Sequence, residues 1–484
     1  MGNLSRHFFS GIIYTGLAKY SGLVIGIVVT AVLARFIDAE DFGVVAIATV
    51  VINFFSTLTT VGISPAIVQS QDIKDRDISS INSFTILLAI FLTILYEISL
   101  PFIVKLYSGN LLLLRIMRIL GVSILFSVSS IVPNAIILKS KLFKFISLRT
   151  LLIQFVLGII SIICALSGVG IYSLLINPIG SSLLLLIISF YKVPIVVSRI
   201  NWKSVQKILS FSILQALFNF VYLSYRNIDK LFVGRFCGLS SLGYYEKSYR
   251  LMMLPLENIT SVISPVLHPI LSEHQTNISI IQNAYIKILK TLSEFSFILT
   301  VVIYYLAESI ILVLYGEQWL PSVPVFRILS LSICVQIMQA PIGAILQSLN
   351  KVKVLLYGSL LTLLYVIVSL VFSYYVGGVE SVAIGIDVAF VLGFITYQIF
   401  IAKNCNIHLL SICKVILPGL LQGVILFIVL FIVTQYMTEG VVSLIIGVML
   451  TTVLFMLILI RMGYMPSTLQ VLRSLFKKQG KFNS

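Results

Sequence analysis

Apolar residues fill this chain in blocks of about 20 residues or more, separated by short polar segments, from near residue 10 to near residue 461. A block of that length, wound as α-helix, crosses the roughly 30 Å of hydrocarbon in a bilayer. The pattern predicts fourteen membrane spans, near 10–34, 43–65, 81–104, 112–137, 150–168, 170–190, 208–233, 244–266, 290–315, 321–346, 354–376, 380–401, 412–434 and 441–461. The opening segment MGNLSRHF is amphipathic. The apolar run behind it is too long for a cleavable signal and lacks a small-residue cleavage site, so a retained cytoplasmic N-terminus is expected.

One stretch, Arg226 to Arg250, places seven charged residues and the pair Tyr244-Tyr245 between two long apolar runs. A shift of 200 residues without gaps matches Arg35-Phe36, Gly43, Thr60 and Ile63-Ser64-Pro65 to Arg235-Phe236, Gly243, Thr260 and Ile263-Ser264-Pro265, seven of 31 positions. A second echo at a shift of 208 pairs Pro133, Ile137, Leu138 and Ser140 with Pro341, Ile345, Leu346 and Ser348. Both point to an internal duplication. The first span maps onto the seventh, so each half holds six helices and starts on the same side of the membrane. The expected fold is all-α and polytopic: two parallel six-helix repeats, residues 1–200 and 201–402, followed by two extra helices and a basic tail over 403–484. In transporters built this way the substrate site lies between the repeats.

Polar positions at helical spacing mark the faces expected to line a cavity. The first span carries Thr15, Lys19, Gly22, Gly26 and Thr30; the second carries Asn53, Ser56, Thr57, Thr60 and Ser64. The seventh repeats the pattern with Ser212, Gln215, Asn219, Tyr222, Arg226 and Lys230, and the eighth with Glu246, Arg250, Glu257, Thr260 and Ser264. A charge at mid-membrane costs about 2.5–3.5 kcal/mol on insertion scales, so such stripes need water, partners or a polar ligand. Small and hydroxyl residues also serve as helix-packing faces. Glu246 and Arg250 are spaced to neutralise each other, and Asp229 to neutralise Arg226 or Lys230. Asp229, Glu246 and Glu257 are thus candidates for ion coupling or for structural pairing. Lys19 has no acid on its own helix, and snorkelling from its depth is a long reach.

Composition agrees with the spans. The chain is 59% hydrophobic and 10% charged with a mean hydropathy of +1.10, whereas a soluble domain is about 25% charged. The net charge of +16 is mostly a topology signal, because 22 of the 33 Lys and Arg fall in loops and a tail assigned to the cytoplasm. Nucleic acid is a poor partner for that charge; lipid headgroups are a good one. The five cysteines form no C-x-x-C and the four histidines lie at or near cytoplasmic loops, so neither a metal nor a cofactor is expected. No phosphate-binding loop or nucleophile elbow occurs, and no loop exceeds about 25 residues. An enzyme is not expected; a secondary transporter is.

The phrase Arg35-Phe36-Ile37-Asp38-Ala39-Glu40-Asp41-Phe42-Gly43, its partner Gly234-Arg235-Phe236-Cys237-Gly238 leading to Gly243-Tyr244-Tyr245, and Asn227-Ile228-Asp229-Lys230 before it resemble bacterial polysaccharide exporters of the Wzx flippase type. These belong to the multidrug/oligosaccharidyl-lipid/polysaccharide exporter superfamily, and the resemblance covers essentially the whole chain. One departure is Asp38, where the pattern usually has Gly, so the turn after the first span is expected to differ. The resemblance implies a fold like the multidrug (MATE) exporters in the cytoplasmic membrane, with both termini inside. It also implies movement of undecaprenyl-pyrophosphate-linked oligosaccharide to the outer leaflet, ahead of O-antigen, capsule or exopolysaccharide assembly, with the pathway's polymerase and chain-length proteins as partners. The cavity residues for such a substrate are Lys19, Asn53, Asn219, Tyr222, Arg226, Lys230 and Arg250. Two alternatives stand beside it: a cation-coupled multidrug antiporter of the same superfamily, and an O-antigen polymerase or ligase, which would need a large periplasmic loop.

Overall fold

The computed structural model describes residues 2–69, 73–273, 275 and 277–436, with side chains described for most positions from Thr15 onward. Among them the backbone is helical almost throughout and contains no strand. In hydrocarbon each backbone polar group must be satisfied within its own segment, and helix does this. In chain order the helices are α1 (Gly2–Phe36), α2 (Ala39–Gln69), α3 (Asp75–Leu106), α4 (Leu111–Ser129), α5 (Ile131–Lys139), α6 (Phe143–Leu166), α7 (Ser173–Lys192), α8 (Trp202–Phe236), α9 (Leu239–Glu273), α10 (Ile278–Leu314), α11 (Val323–Ser330), α12 (Ile333–Ser348), α13 (Val352–Val376), α14 (Val379–Asn404) and α15 (Leu409–Tyr436).

Ten spans among the described residues are long and apolar enough to cross a membrane, or eleven if one bent pair counts as a single span. The chain is a multi-pass membrane protein. α8 and α9 are not among the ten, and they carry eight charged residues between Arg226 and Glu257. The fourteenth span expected near 441–461 lies outside the described residues, as does the basic tail.

The two spans expected near 112–137 and 321–346 are each broken. Pro133 has no N–H to give the Ser129 carbonyl, and α4 ends there, with the Ser130 hydroxyl donating to the Ser127 carbonyl at 2.8 Å. In the second case Leu331 and Ser332 bond three residues back, at 2.9 and 3.3 Å, and the chain bends by 53° into α12.

The turns after α1 and α8 correspond under the 200-residue shift and make the same bonds. Ile37 donates to Leu33 and Phe42 to Asp38, at 3.1 and 3.3 Å; Cys237 donates to Val233 and Leu242 to Gly238, at 2.8 and 3.0 Å. The departure at Asp38 shows in the backbone angle alone: Gly238 has φ +96°, a conformation that Asp38 does not adopt.

The chain divides into two compact units, the first comprising residues up to Glu246 with Leu314–Trp319, the second Lys247–Val313 with the residues from Leu320 onward. α8, the first helix of the expected second half, therefore packs within the first unit. There, α1 lies along α6, burying Val29, Leu33, Ile37 and Ala165 together. Gly158 lets them close, since a Cβ on it would press on Val29 at 2.7 Å. α2 packs against α4 and α5 and most extensively against α8. In the second unit α13 pairs with α14, and α11, α12 and α15 flank α14. The Tyr397 hydroxyl reaches the Leu355 carbonyl there at 3.1 Å.

Candidate functional site

The C-terminal third of α8 and the first turns of α9 bring the charged residues from Arg226 to Glu246 together within the first unit. Asp229 is 1% exposed and accepts a hydrogen bond from the Tyr245 hydroxyl at 2.6 Å. One residue further along each helix, the Lys230 ammonium meets a Glu246 carboxylate oxygen at 2.7 Å. Asp229 and Lys230 thus each meet a partner across the α8–α9 turn, which offsets part of the desolvation cost of burying them.

Arg226 sits one turn back on α8. Its guanidinium carbon lies 5.5 Å from the Tyr222 ring centroid and 5.7 Å from that of Tyr225, and the two rings meet edge-on at 5.2 Å. The spacing i, i+3, i+4 on a helix produces this contact. A cation over aromatic faces is held at small electrostatic cost, while phosphate recognition uses the planar N–H fork of the same group. Phe220, further back on α8 and on another face, stacks edge-on against Phe54 of α2 at 5.8 Å, within the extensive packing of α8 on α2.

Two backbone contacts join α2 and α9 reciprocally. A Cβ on Gly43 would overlap the Leu239 carbonyl oxygen, and a Cβ on Gly243 would overlap the Ala39 carbonyl oxygen. Ala39 and Leu239, like Gly43 and Gly243, are 200 residues apart, so the two close approaches are reciprocal. This is the isologous relation of a two-fold contact.

The ends of α1 and α8 are closed in parallel fashion. Trp319, fully buried, donates its indole N–H to the Ala34 carbonyl at 2.7 Å, and the Gln318 amide joins at the same oxygen. Phe42 and Tyr244 pack edge-on against that indole at 5.4 and 5.7 Å. At the other helix end the Tyr107 hydroxyl donates to the Leu231 carbonyl at 3.0 Å. Burial pushes the Tyr107 phenol up to about 12 against a lowering influence of Arg235, so it stays a donor. The Ala34 carbonyl, in the last turn of α1, lacks an intrahelical partner, and Trp319 and Gln318 supply donors there.

The remaining expected site residues are placed as follows. Lys19 is exposed on α1, Asn53 exposed on α2, Asn219 half-buried on α8, and Tyr222 39% exposed; Arg250 and Glu257 are exposed on α9. Gly22, in the Lys19 stripe, is buried against Gln154 of α6 and so belongs to a packing face. Glu246 forms its ion pair with Lys230 across the α8–α9 turn. Two further ion pairs occur among the described residues, Arg118 with Glu97 at 3.5 Å and Arg327 with Glu308 at 3.1 Å. Tyr245, Tyr107 and Trp319 were not singled out as contacts. For Tyr245, the equal offset of sixteen residues from Asp229 and from Lys230 to their partners was the signal available.

Residues 32–324 match the profile of a family described as polysaccharide biosynthesis protein. The teichuronic acid biosynthesis protein TuaB of Bacillus subtilis is 23% identical over 368 residues, covering 74% of each chain. The lipopolysaccharide biosynthesis protein WzxC of Escherichia coli is 21% identical over 400 residues, covering 81% of this chain and 79% of that one. Among solved structures, the lipid II flippase MurJ in an inward closed conformation matches with a TM-score of 0.73 and 16% identity, over 93% of this chain and 100% of that one. An inward-facing MATE multidrug transporter matches with a TM-score of 0.61 and 14% identity, over 79% and 95%. The fold is therefore that of the MurJ and MATE transporters, and a profile match spanning well over half of the sequence places the chain in the polysaccharide biosynthesis protein family.

Proposed function

We propose that this protein is a flippase that moves an undecaprenyl-pyrophosphate-linked oligosaccharide from the inner to the outer leaflet of a bacterial cytoplasmic membrane, with both termini in the cytoplasm. The observation that carries this reading is Arg226, a cation flanked by Tyr222 and Tyr225 on a helix of a polysaccharide-biosynthesis membrane chain. The lipid-linked sugar has an anionic pyrophosphate, a polyhydroxyl head and a long prenyl tail, of which only the head needs shielding from hydrocarbon. Aromatic rings stack on sugar faces, and Arg and Lys meet the phosphates with charge-assisted hydrogen bonds. Lys19, Asn53 and Asn219 complete the polar lining in this reading, while the Lys230–Glu246 and Asp229–Tyr245 pairs hold α8 and α9 in register.

The reciprocal Gly43–Leu239 and Gly243–Ala39 contacts support two parallel repeats, residues 1–200 and 201–402, followed by 403–484. Rocking of the repeats about the central site gives alternating access. Polymerase and chain-length proteins of the same pathway are the expected protein partners.

The test is deletion followed by complementation. Loss of surface glycan with accumulation of its lipid-linked unit on the inner leaflet, and unchanged drug tolerance, is the expected result. Normal glycan together with new drug sensitivity would replace this reading by that of a cation-coupled multidrug antiporter.

A further inference from the structure

A buried arginine stands apart from the α8–α9 segment, in a region of unusual charge. Between Glu97 and Asp229 the sequence contains no Asp, no Glu and no His, but twelve Lys and Arg. Arg149, the seventh residue of α6, is one of the twelve and is only 8% exposed. A guanidinium stays protonated inside proteins, so a buried one is normally matched by a carboxylate. Its partners here are neutral: Nη1 donates to the Ser189 hydroxyl of α7 at 2.8 Å, and Phe145 presents its ring 5.6 Å from the guanidinium carbon. The Nε atom is buried and has no hydrogen-bond partner among the described residues.

The group is oriented rather than loosely packed. Ser189, having accepted from Arg149, has two acceptors within reach of its one proton, the Leu185 carbonyl of its own helix at 2.5 Å and the Asn134 amide oxygen of α5 at 3.0 Å, so residues of three helices surround the guanidinium. A second cation shares the same ring: the Lys192 ammonium lies 5.5 Å from the Phe145 centroid, at the end of α7 and exposed. Two positive charges beside one aromatic ring, with a buried N–H left unpartnered on the inner one, are arranged for an anion of more than one oxygen. The surroundings say what else that anion carries. Leu148 and Leu152 are 54% exposed and Tyr191 is 88% exposed beside the polar group, on helices apolar enough to cross a membrane. An anion docking there has an apolar tail.

We propose that Arg149 and Lys192, with Phe145 between them, form a binding site for the phosphate of a lipid at the membrane boundary, outside the α8–α9 segment. The phosphate belongs either to an anionic phospholipid headgroup or to a lipid-linked pyrophosphate. In the second case the site is an entry station for the substrate and rests on the flippase reading; in the first it stands alone.

The test is lipid retention by the purified full-length protein in native mass spectrometry. The probes are dioleoylphosphatidylglycerol, dioleoylphosphatidylcholine, undecaprenyl pyrophosphate and inorganic pyrophosphate. The wild type is expected to retain the anionic lipids over the zwitterionic one and over inorganic pyrophosphate. Lys192→Gln, an exposed position whose loss leaves folding intact, should weaken that retention about tenfold. Arg149→Gln should weaken it further and Arg149→Lys should recover part, because an ammonium lacks the fork. Equal retention by wild type and Lys192→Gln, or no preference for anionic over zwitterionic lipid, overturns the proposal. Direct competition between phosphatidylglycerol and undecaprenyl pyrophosphate identifies the source. Anionic-lipid retention that survives in a protein shown not to support glycan export would leave this site standing while removing the flippase reading.

Discussion

Lys230 on α8 and Glu246 on α9 form an ion pair at 2.7 Å, with side chains only 10% and 26% exposed, across the turn that joins their helices. The neighbouring Asp229 and Tyr245 repeat the contact with the same sixteen-residue separation. Two rungs in one register fix how α9 leaves α8. Lys230→Ala leaves a half-buried carboxylate without its cation, and a loss of roughly 2–3 kcal/mol is expected, below the range for fully buried pairs because Glu246 retains some water. Thermal unfolding in detergent should show Lys230→Ala and Glu246→Gln lowered, with Lys230→Glu/Glu246→Lys recovering part of the loss. A double exchange no better than the worse single variant would show that the pair does not couple.

Alanine at Gly43 or Gly243 is expected to be equally harmful. Each added methyl overlaps a main-chain carbonyl, of Leu239 and Ala39 respectively, and main chain cannot swing aside as a side chain does. Gly26, where an added Cβ meets nothing within 4 Å, is the control and should accept alanine with no loss, or with a gain of up to about 1 kcal/mol from helix propensity. Folded protein recovered in the membrane is the measurement; a tolerated Gly243→Ala beside a lethal Gly43→Ala would break the reciprocity.

For transport, Lys19→Ala and Arg226→Ala should each abolish flipping while the protein still inserts at normal abundance. Arg226→Lys should restore part of the activity, and Lys19→Arg should be tolerated better. Reduced abundance in place of reduced flipping would assign these residues a structural role. Wild-type flipping by both alanine variants would remove them from the substrate path.

Thiol labelling separates two cysteines. Burial holds the Cys405 thiol up to about 11, so at pH 8 only about one molecule in a thousand carries the reactive thiolate there. A group whose pKa is raised gains reactivity only as pH climbs toward it, and Cys405 should stay unlabelled through pH 8.5. Cys237, half-buried in the α8–α9 turn, is expected to face outside. In single-cysteine variants on intact cells, an impermeant maleimide should mark Cys237 and spare Cys405. Labelling of Cys237 only after the cells are permeabilised would invert the proposed orientation.

Much of this architecture is legible from periodicity, since long apolar blocks in a chain of this composition have one stable answer in lipid. The end of α1 and the α8–α9 boundary fall close to where the pattern places them, while α1 begins eight residues earlier than expected, and Gly43 and Gly243, matched by the shift of 200 residues, each face a main-chain carbonyl where a Cβ would stand. The breaks at Ser130 and Leu331 were not legible as breaks, because Pro133 and Pro341 also suit an unbroken kinked span, and the neighbours that decide lie elsewhere in the chain. Pairing of charges failed for a similar reason. Spacing on one helix favoured Arg250 for Glu246, but a turn can bring a partner sixteen residues away closer than one four residues away, and Lys230 takes the place.

The acid-free stretch that contains Arg149 has a further consequence, for proton dependence. With no carboxylate and no imidazole between Glu97 and Asp229, those residues hold a constant charge over the interval in which such groups ordinarily titrate, about pH 3 to 7. Twelve cations there form a fixed electrical background that acidification does not alter. Any variation of transport across that interval that arises from ionisable side chains of the protein must come from the seventeen acids and four histidines outside the stretch, beside the titration of the substrate's own phosphates.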